Sequence, residues 1–193
     1  MSDSVMHELQ EILPDSAAAE KRKKSSNRRL LIITVLVLLA SVAIAVLAAY
    51  VWFPVLQVYG KSMAPTLTEG DYVAMLKTTD VTHGDIVALE VNNKLLIRRV
   101  IGVSGDEINV GADGTVFVNG SAPEEPYIRS KHDGAPDVAM PCTVPEGAYF
   151  VMGDEREKAV DSRHSAVGCV TEEQIIGRLI LKIWPMSEFG PVK

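Results

Sequence analysis

Along the chain, hydrophobic and polar positions fall into two regimes. From Leu30 to Phe53 run 24 residues without a charge, and only Thr34, Ser41 and Tyr50 carry polar side-chain groups. At 1.5 Å per residue such a helix reaches roughly 36 Å, enough for a ~30 Å hydrocarbon core. Beyond Pro54 the pattern breaks into short apolar segments separated by Gly, Asp, Asn and Pro. Asp71–Leu76, Asp85–Glu90, Leu95–Ile101, Glu107–Val110, Thr115–Asn119, Tyr149–Met152 and Ile176–Ile183 all read as strands. Asp113-Gly114 marks a hairpin, and Thr171-Glu-Glu-Gln caps a single helical turn. Pro123 to Pro141 reads as loop. The expected fold is mostly β, a barrel or folded-over sheets, behind one N-terminal transmembrane helix.

Charge sharpens this division. Lys21 to Arg29 holds six of the 19 Lys and Arg, directly before the apolar run. That cluster marks a cytoplasmic flank, and Tyr50 and Trp52 suit the opposite interface. The expected order is a cytoplasmic tail with its basic cluster (1–29), a transmembrane helix (30–53) and an extracytoplasmic β domain (54–193). The apolar run is too long for the core of a cleaved leader, and 29 residues precede it, so it reads as an uncleaved anchor. The first 20 residues read as a disordered or loosely helical tail. The localisation implied is a plasma membrane crossed once, with the lipid bilayer as a partner. Residues 54–193 hold 13 basic and 20 acidic residues, a net −7, which argues against a nucleic-acid partner. Cys142 and Cys169 fall outside, where pairing and free thiols are both open. The four histidines (7, 83, 132, 164) are scattered, no zinc spacing is present, and no cofactor or metal is expected.

Three stretches hold candidate chemistry. Ser62 sits between Gly60 and Pro65, in a tightly shaped segment; on local composition alone this is a surface turn with an ordinary serine, whose hydroxyl attacks only once a base takes its proton. Asp154, Arg156, Asp161 and Arg163 form a closely spaced set of opposite charges, read as an ion-pair network that holds a site's walls. Arg98 and Arg99 are neighbours on a strand and so point to opposite faces.

Ser62-Met-Ala-Pro-Thr-Leu67, Arg98-Arg-Val-Ile-Gly-Val-Ser-Gly-Asp106 and Gly153-Asp-Glu-Arg156 followed by Asp161-Ser162-Arg163 together resemble the boxes of bacterial type I signal peptidases. The anchor-first layout is similar to the short, single-span Gram-positive form, and the likeness covers about residues 50–185. It implies a signal-peptidase-like folded β domain and a membrane-bound serine endopeptidase. Such an enzyme cuts signal peptides from exported preproteins after small residues at −1 and −3, using a Ser-Lys dyad. Ser62 matches the nucleophile, with Met63 beside it, and Gly60 takes the place where some members put a second oxyanion donor. The family's base lysine aligns with Arg98. A guanidinium, with a pKa above ~12, donates hydrogen bonds and stabilises negative charge but does not readily take a proton. The serine that orients the family's lysine is here Ala159; Glu155 stands for a usual asparagine and Ser104 for a usual proline. Lys61, Lys94, Lys158 and His164 are the other titratable groups near these boxes. The other reading of Arg98 with Ala159 is a non-catalytic relative that binds exported proteins or assists assembly of surface proteins.

Overall fold

A computed structural model describes residues 3–131 and 136–192, with side-chain surroundings from residue 27 onward except at Tyr50. Part of the expected 123–141 loop, including His132, lies outside the described residues; the rest is turns and bends. The chain divides into two units, Met1–Tyr50 and Val51–Lys193.

The first unit belongs to one helix, α1 (Asp3–Trp52). The tail that the sequence marks as disordered or loosely helical is therefore helical, consistent with its Ala, Glu and Leu content, all good helix formers. Asn27–Ala49 is long and apolar enough to cross a membrane, and its side chains are exposed throughout. Pro54, which lacks a backbone donor, follows two residues after the helix ends.

The second unit is built of β1 (Val55–Gln57), β2 (Tyr72–Leu76), β3 (Ile86–Val91), β4 (Lys94–Gly102), β5 (Glu107–Val110), β6 (Val116–Val118), β7 (Cys142–Thr143), β8 (Ala148–Met152), β9 (Val170–Thr171), β10 (Ile175–Trp184) and β11 (Gly190–Pro191). One sheet runs β1-β2-β10-β3-β4-β8-β9, with β11 also on β10; a second runs β6-β5-β7. Every pairing is antiparallel. All seven strands expected from the pattern are present. The single turn after Thr171 also forms (Glu172–Gln174), and the Gln174 side chain accepts the Thr171 N–H at 2.9 Å. The four strands without a clear signal, β1, β7, β9 and β11, are two or three residues long.

Alternation along β3 explains why both faces of the large sheet are covered. Ile86 and Ala88 pack with Met63, Leu67, Val73 and Leu179, while Val87, Leu89 and Val91 pack with Val100, Val151 and Ile175. A third cluster, around Ile108, Val116 and Phe150, joins the small sheet to β4 and β8. Buried on both sides, β4 has to place two arginines in the interior: Arg98 is 4% and Arg99 2% exposed.

Two buried carboxylates fix loops around this core. Asp71 accepts the Thr68 N–H at 2.9 Å and faces the Lys182 ammonium at 2.9 Å. Asp106 accepts from the Val103 N–H and Asn119 and meets His83 at 2.7 Å. Burial pushes both carboxyls up, but these donors and cations outweigh it and hold both below the ordinary value of 3.8. A depressed native pKa contributes stability that is present above about pH 4 and is lost as pH falls through the native value. Thermal unfolding is expected to shift down progressively below pH 4, with a weaker dependence in Asp71→Asn; the same acid slope in that variant would contradict this assignment.

Cys142 and Cys169 are both reduced and half-buried, side by side against the third cluster. Burial, with Cys142 next to it, pushes the Cys169 thiol up to about 11. Because the thiolate is the reactive form, Cys169 is expected to alkylate at pH 8 at least ~100-fold more slowly than a free thiol of pKa ≈ 8.5; equal rates would contradict this.

Candidate active site

Ser62 lies in the turn-rich connection between β1 and β2. Gly60 opens it at φ +84°, a left-handed conformation that favours glycine. The connection is closed by Val58 N–H to Asp71 carbonyl (2.8 Å) and Leu67 N–H to Met63 carbonyl (2.8 Å). Met63, 2% exposed, pins it to the core. From the other side the segment after β8 clasps it: the Glu155 N–H donates to the Ser62 carbonyl at 3.0 Å. That approach requires Gly153, where a Cβ would stand 2.6 Å from the Ser62 carbonyl oxygen and 2.3 Å from the Ala159 Cβ.

Arg98 and Arg99 leave β4 on opposite faces, as alternation dictates. Arg98 Nη1 donates to Ser62 Oγ at 2.8 Å and also to the Ile97 carbonyl. Its Nε and Nη2 both donate to the Val160 carbonyl, at 3.2 and 2.8 Å. These are carbonyl and hydroxyl acceptors; no carboxylate is bonded to this guanidinium among the described residues. Burial pushes the Arg98 pKa down; Asp161 opposes the shift and Arg163 adds to it. The Ser62 N–H makes no hydrogen bond to any described residue, which leaves it available to an incoming oxygen.

Arg99 serves the walls. It grips Asp154 with two bonds (Nε to Oδ1, 2.9 Å; Nη2 to Oδ2, 2.7 Å), reaches the Gly84 carbonyl, and stacks on the Tyr127 ring at 3.8 Å from its centroid. Asp154 also accepts from Thr66, four residues beyond Ser62. Of the four charges grouped by the sequence, only Asp161 and Arg163 pair with each other. Arg163 donates through Nε and Nη2 at 2.9 Å each, and Asp161 also accepts the Gly153 N–H at 3.0 Å. Arg156 instead pairs with Glu125, and Asp154 with Arg99. Thr66, Arg99, Glu125 and Tyr127 are thus wall residues that local spacing misses, since the charges and rings they meet across the wall are 28 to 88 positions away. Ser162 Oγ accepts the Val151 N–H and locks the last box onto β8. Ala159, 3% exposed, is buried against Gly153 and presents a methyl group with no hydroxyl to the site.

Ser62 and Arg98 stand between two hollows. The larger, about 490 Å³, is lined by Lys61, Lys94, Leu96, Lys158, Val160 and Val167, among others. The smaller, about 130 Å³, is closed by Val58, Tyr59, Met63, Leu95 and Ile97. Lys61, Lys94 and Lys158 therefore share the cleft with Ser62, but Arg98 is the group bonded to its Oγ. His164 is not part of the cleft lining; its ring lies 3.9 Å from an Asp161 oxygen. Among the described residues, no group of three His, Cys, Asp or Glu is placed to hold a metal.

The model of the family "Signal peptidase, peptidase S26" matches residues 30–184. Signal peptidase IB of Staphylococcus aureus is 37% identical over 150 residues, covering 67% of this chain and 77% of that one. Signal peptidase I of Bacillus licheniformis is 32% identical over 165 residues, covering 79% and 87%. A crystal structure of a signal peptidase I from Enterococcus faecalis aligns at 28% identity over 52% of this chain and 97% of that one, with a TM-score of 0.42.

Proposed function

Because this chain belongs to the signal peptidase, peptidase S26 family, we propose that it is a membrane-anchored serine endopeptidase. It removes signal peptides from exported preproteins after small residues at −1 and −3. α1 crosses the lipid bilayer at residues 30–53, with residues 1–29 inside and the β domain outside. The basic cluster before the apolar run and the aromatic residues at its far end support this orientation. External protease on intact cells is expected to digest the domain after residue 54 and spare the tail; loss of the tail instead would reverse the orientation.

The single observation that carries the catalytic reading is the 2.8 Å contact between Arg98 Nη1 and Ser62 Oγ in an open cleft. Ser62 attacks the scissile carbonyl, its own N–H receives the oxyanion, and an acyl-enzyme ester forms that water then hydrolyses. The 130 Å³ hollow beside Ser62 offers a mainly apolar seat for a substrate side chain.

The Ser62 proton is the difficult step. A protonated Arg98 donates to Oγ, stabilises the alkoxide and lowers the cost of making it, but has no lone pair to offer. Loss of the Nη1 proton that faces Ser62 leaves the bonds to the Ile97 and Val160 carbonyls intact and turns a lone pair toward Oγ. Neutral Arg98 with the serine hydroxyl and protonated Arg98 with the alkoxide contain the same number of protons, so the pair titrates as one unit. The leaving amine takes that proton from Nη1.

Detergent-solubilised protein is expected to cut a preprotein bearing an Ala-X-Ala site. Ser62→Ala is expected to lower kcat/KM by about 10³-fold or more. Unchanged cleavage by Ser62→Ala would remove Ser62 from the mechanism.

A further inference from the structure

Residues 54–193 are acidic overall, yet their cations are distributed unevenly. Arg99, Arg156, Arg163, Arg178 and Lys182 each hold a carboxylate: Asp154, Glu125, Asp161, Asp85 and Asp71. Four other cations, Lys61, Lys94, Arg98 and Lys158, line the 490 Å³ cleft, and no Asp or Glu lines it. Among the described residues none of these three lysines makes an ion pair, and all three are exposed. Asp161, whose charge acts on Arg98, is already committed to Arg163 and to the Gly153 N–H.

Three separate segments bring these charges together. Lys61 precedes the nucleophile. Lys94 lies on the same face of β4 as Leu96 and Arg98. Lys158 comes two residues before Val160, whose carbonyl holds Arg98. The rest of the wall is mainly apolar, with Val91, Leu96, Val160 and Val167. Like charges gathered over low-dielectric walls focus their field into the cleft. This is the reverse of the domain's overall sign, so it favours a ligand opposite in charge to the domain's own attractions.

Resting on the peptidase reading above, we propose that this cleft selects peptides carrying carboxylate side chains within a few residues of the scissile bond. The lysine stems lie along the apolar wall while their ammonium groups meet the acidic side chains. One exposed ion pair is worth up to about fivefold in affinity, so two or three engaged together favour an acidic peptide by about tenfold. The preference is electrostatic and therefore sensitive to salt.

The test uses the full-length protein in neutral detergent. Two peptide sets share an Ala-X-Ala site and differ only in Glu versus Gln at X and at the two positions after the cut. Binding is measured on Ser62→Ala by fluorescence anisotropy, and cleavage on the parent. The Glu peptide is expected to bind about tenfold more tightly at 50 mM salt and only two- to threefold more tightly at 0.5 M. The advantage is expected to fall to about one in a Lys94→Gln, Lys158→Gln double variant and to invert when both become Glu. Equal binding of Glu and Gln peptides by Ser62→Ala would overturn the inference, whether or not the parent cuts them. So would equal binding of the peptides alongside lysine-dependent capture of phosphatidylglycerol vesicles, which would assign the charges to lipid headgroups. A Glu preference in binding with no cleavage of any peptide would uphold the inference and overturn the peptidase reading instead.

Discussion

Arg98→Lys is expected to raise kcat/KM at pH 7.5 by about 10- to 100-fold. A lysine amine has an unperturbed pKa near 10.4 and a guanidine one above 12, so in the same buried position lysine is neutral roughly 100 times more often. Two features of this site reduce the gain. The lysine nitrogen ends about one bond short of Arg98 Nη1, which now touches Ser62 Oγ. Ala159 supplies no hydroxyl to hold an amine in line. Adding Ala159→Ser to Arg98→Lys is therefore expected to recover several-fold more, measured as kcat/KM on one Ala-X-Ala substrate. A parent that cuts nothing between pH 7 and 10, beside an active Arg98→Lys, would favour the non-catalytic relative. Loss of activity in Arg98→Lys would mean that the guanidinium fork itself is required.

The second large effect is on stability. Asp161 is 0% and Arg163 2% exposed, and the carboxylate accepts from Arg163 Nε, Nη2 and N–H and from the Gly153 N–H. Asp161→Ala leaves the Arg163 guanidinium buried, with the Arg156 carbonyl at 2.7 Å as its remaining acceptor. Breaking one side of a buried pair costs about 3–5 kcal/mol, because the remaining charge loses its compensation. For a domain of this size that corresponds to a fall in Tm of about 10 °C, with m unchanged in urea. Replacing Asp161 and Arg163 together by apolar residues of similar volume is expected to restore part of the loss. A shift below 2 °C for Asp161→Ala would contradict the role given to this pair.

The long strands were legible because their apolar positions alternate between turn residues. β4 was legible twice over, since two adjacent arginines on a strand must diverge, and they do. The short strands β1, β7, β9 and β11 were not, because two or three residues give no period to read. Ser62 was found through the likeness of three boxes to a known family, and the structure brings Arg98 to its Oγ. What holds Arg98 was hidden: its main acceptor is the Val160 carbonyl, and a backbone oxygen leaves no trace in residue type. The wall charges show the same limit. Spacing grouped Asp154 with Arg156, whereas the fold gives Asp154 to Arg99, 55 positions away. The tail is helical, one of the two states its sequence leaves open, because acidic, Ala-rich composition is compatible with both a coil and a helix.

If a buried guanidine governs the Ser62 proton, the pH dependence of kcat/KM carries its signature. Burial lowers the Arg98 pKa from the ordinary guanidinium value, and the Ser62–Arg98 pair is expected to lose its proton on the alkaline side. Cleavage by the parent is therefore predicted to rise about tenfold per pH unit from pH 7 to at least pH 9 without a plateau, and Arg98→Lys to level off at lower pH. A parent profile that is flat above pH 8 and unmoved by Arg98→Lys would contradict the claim and place the base on another group.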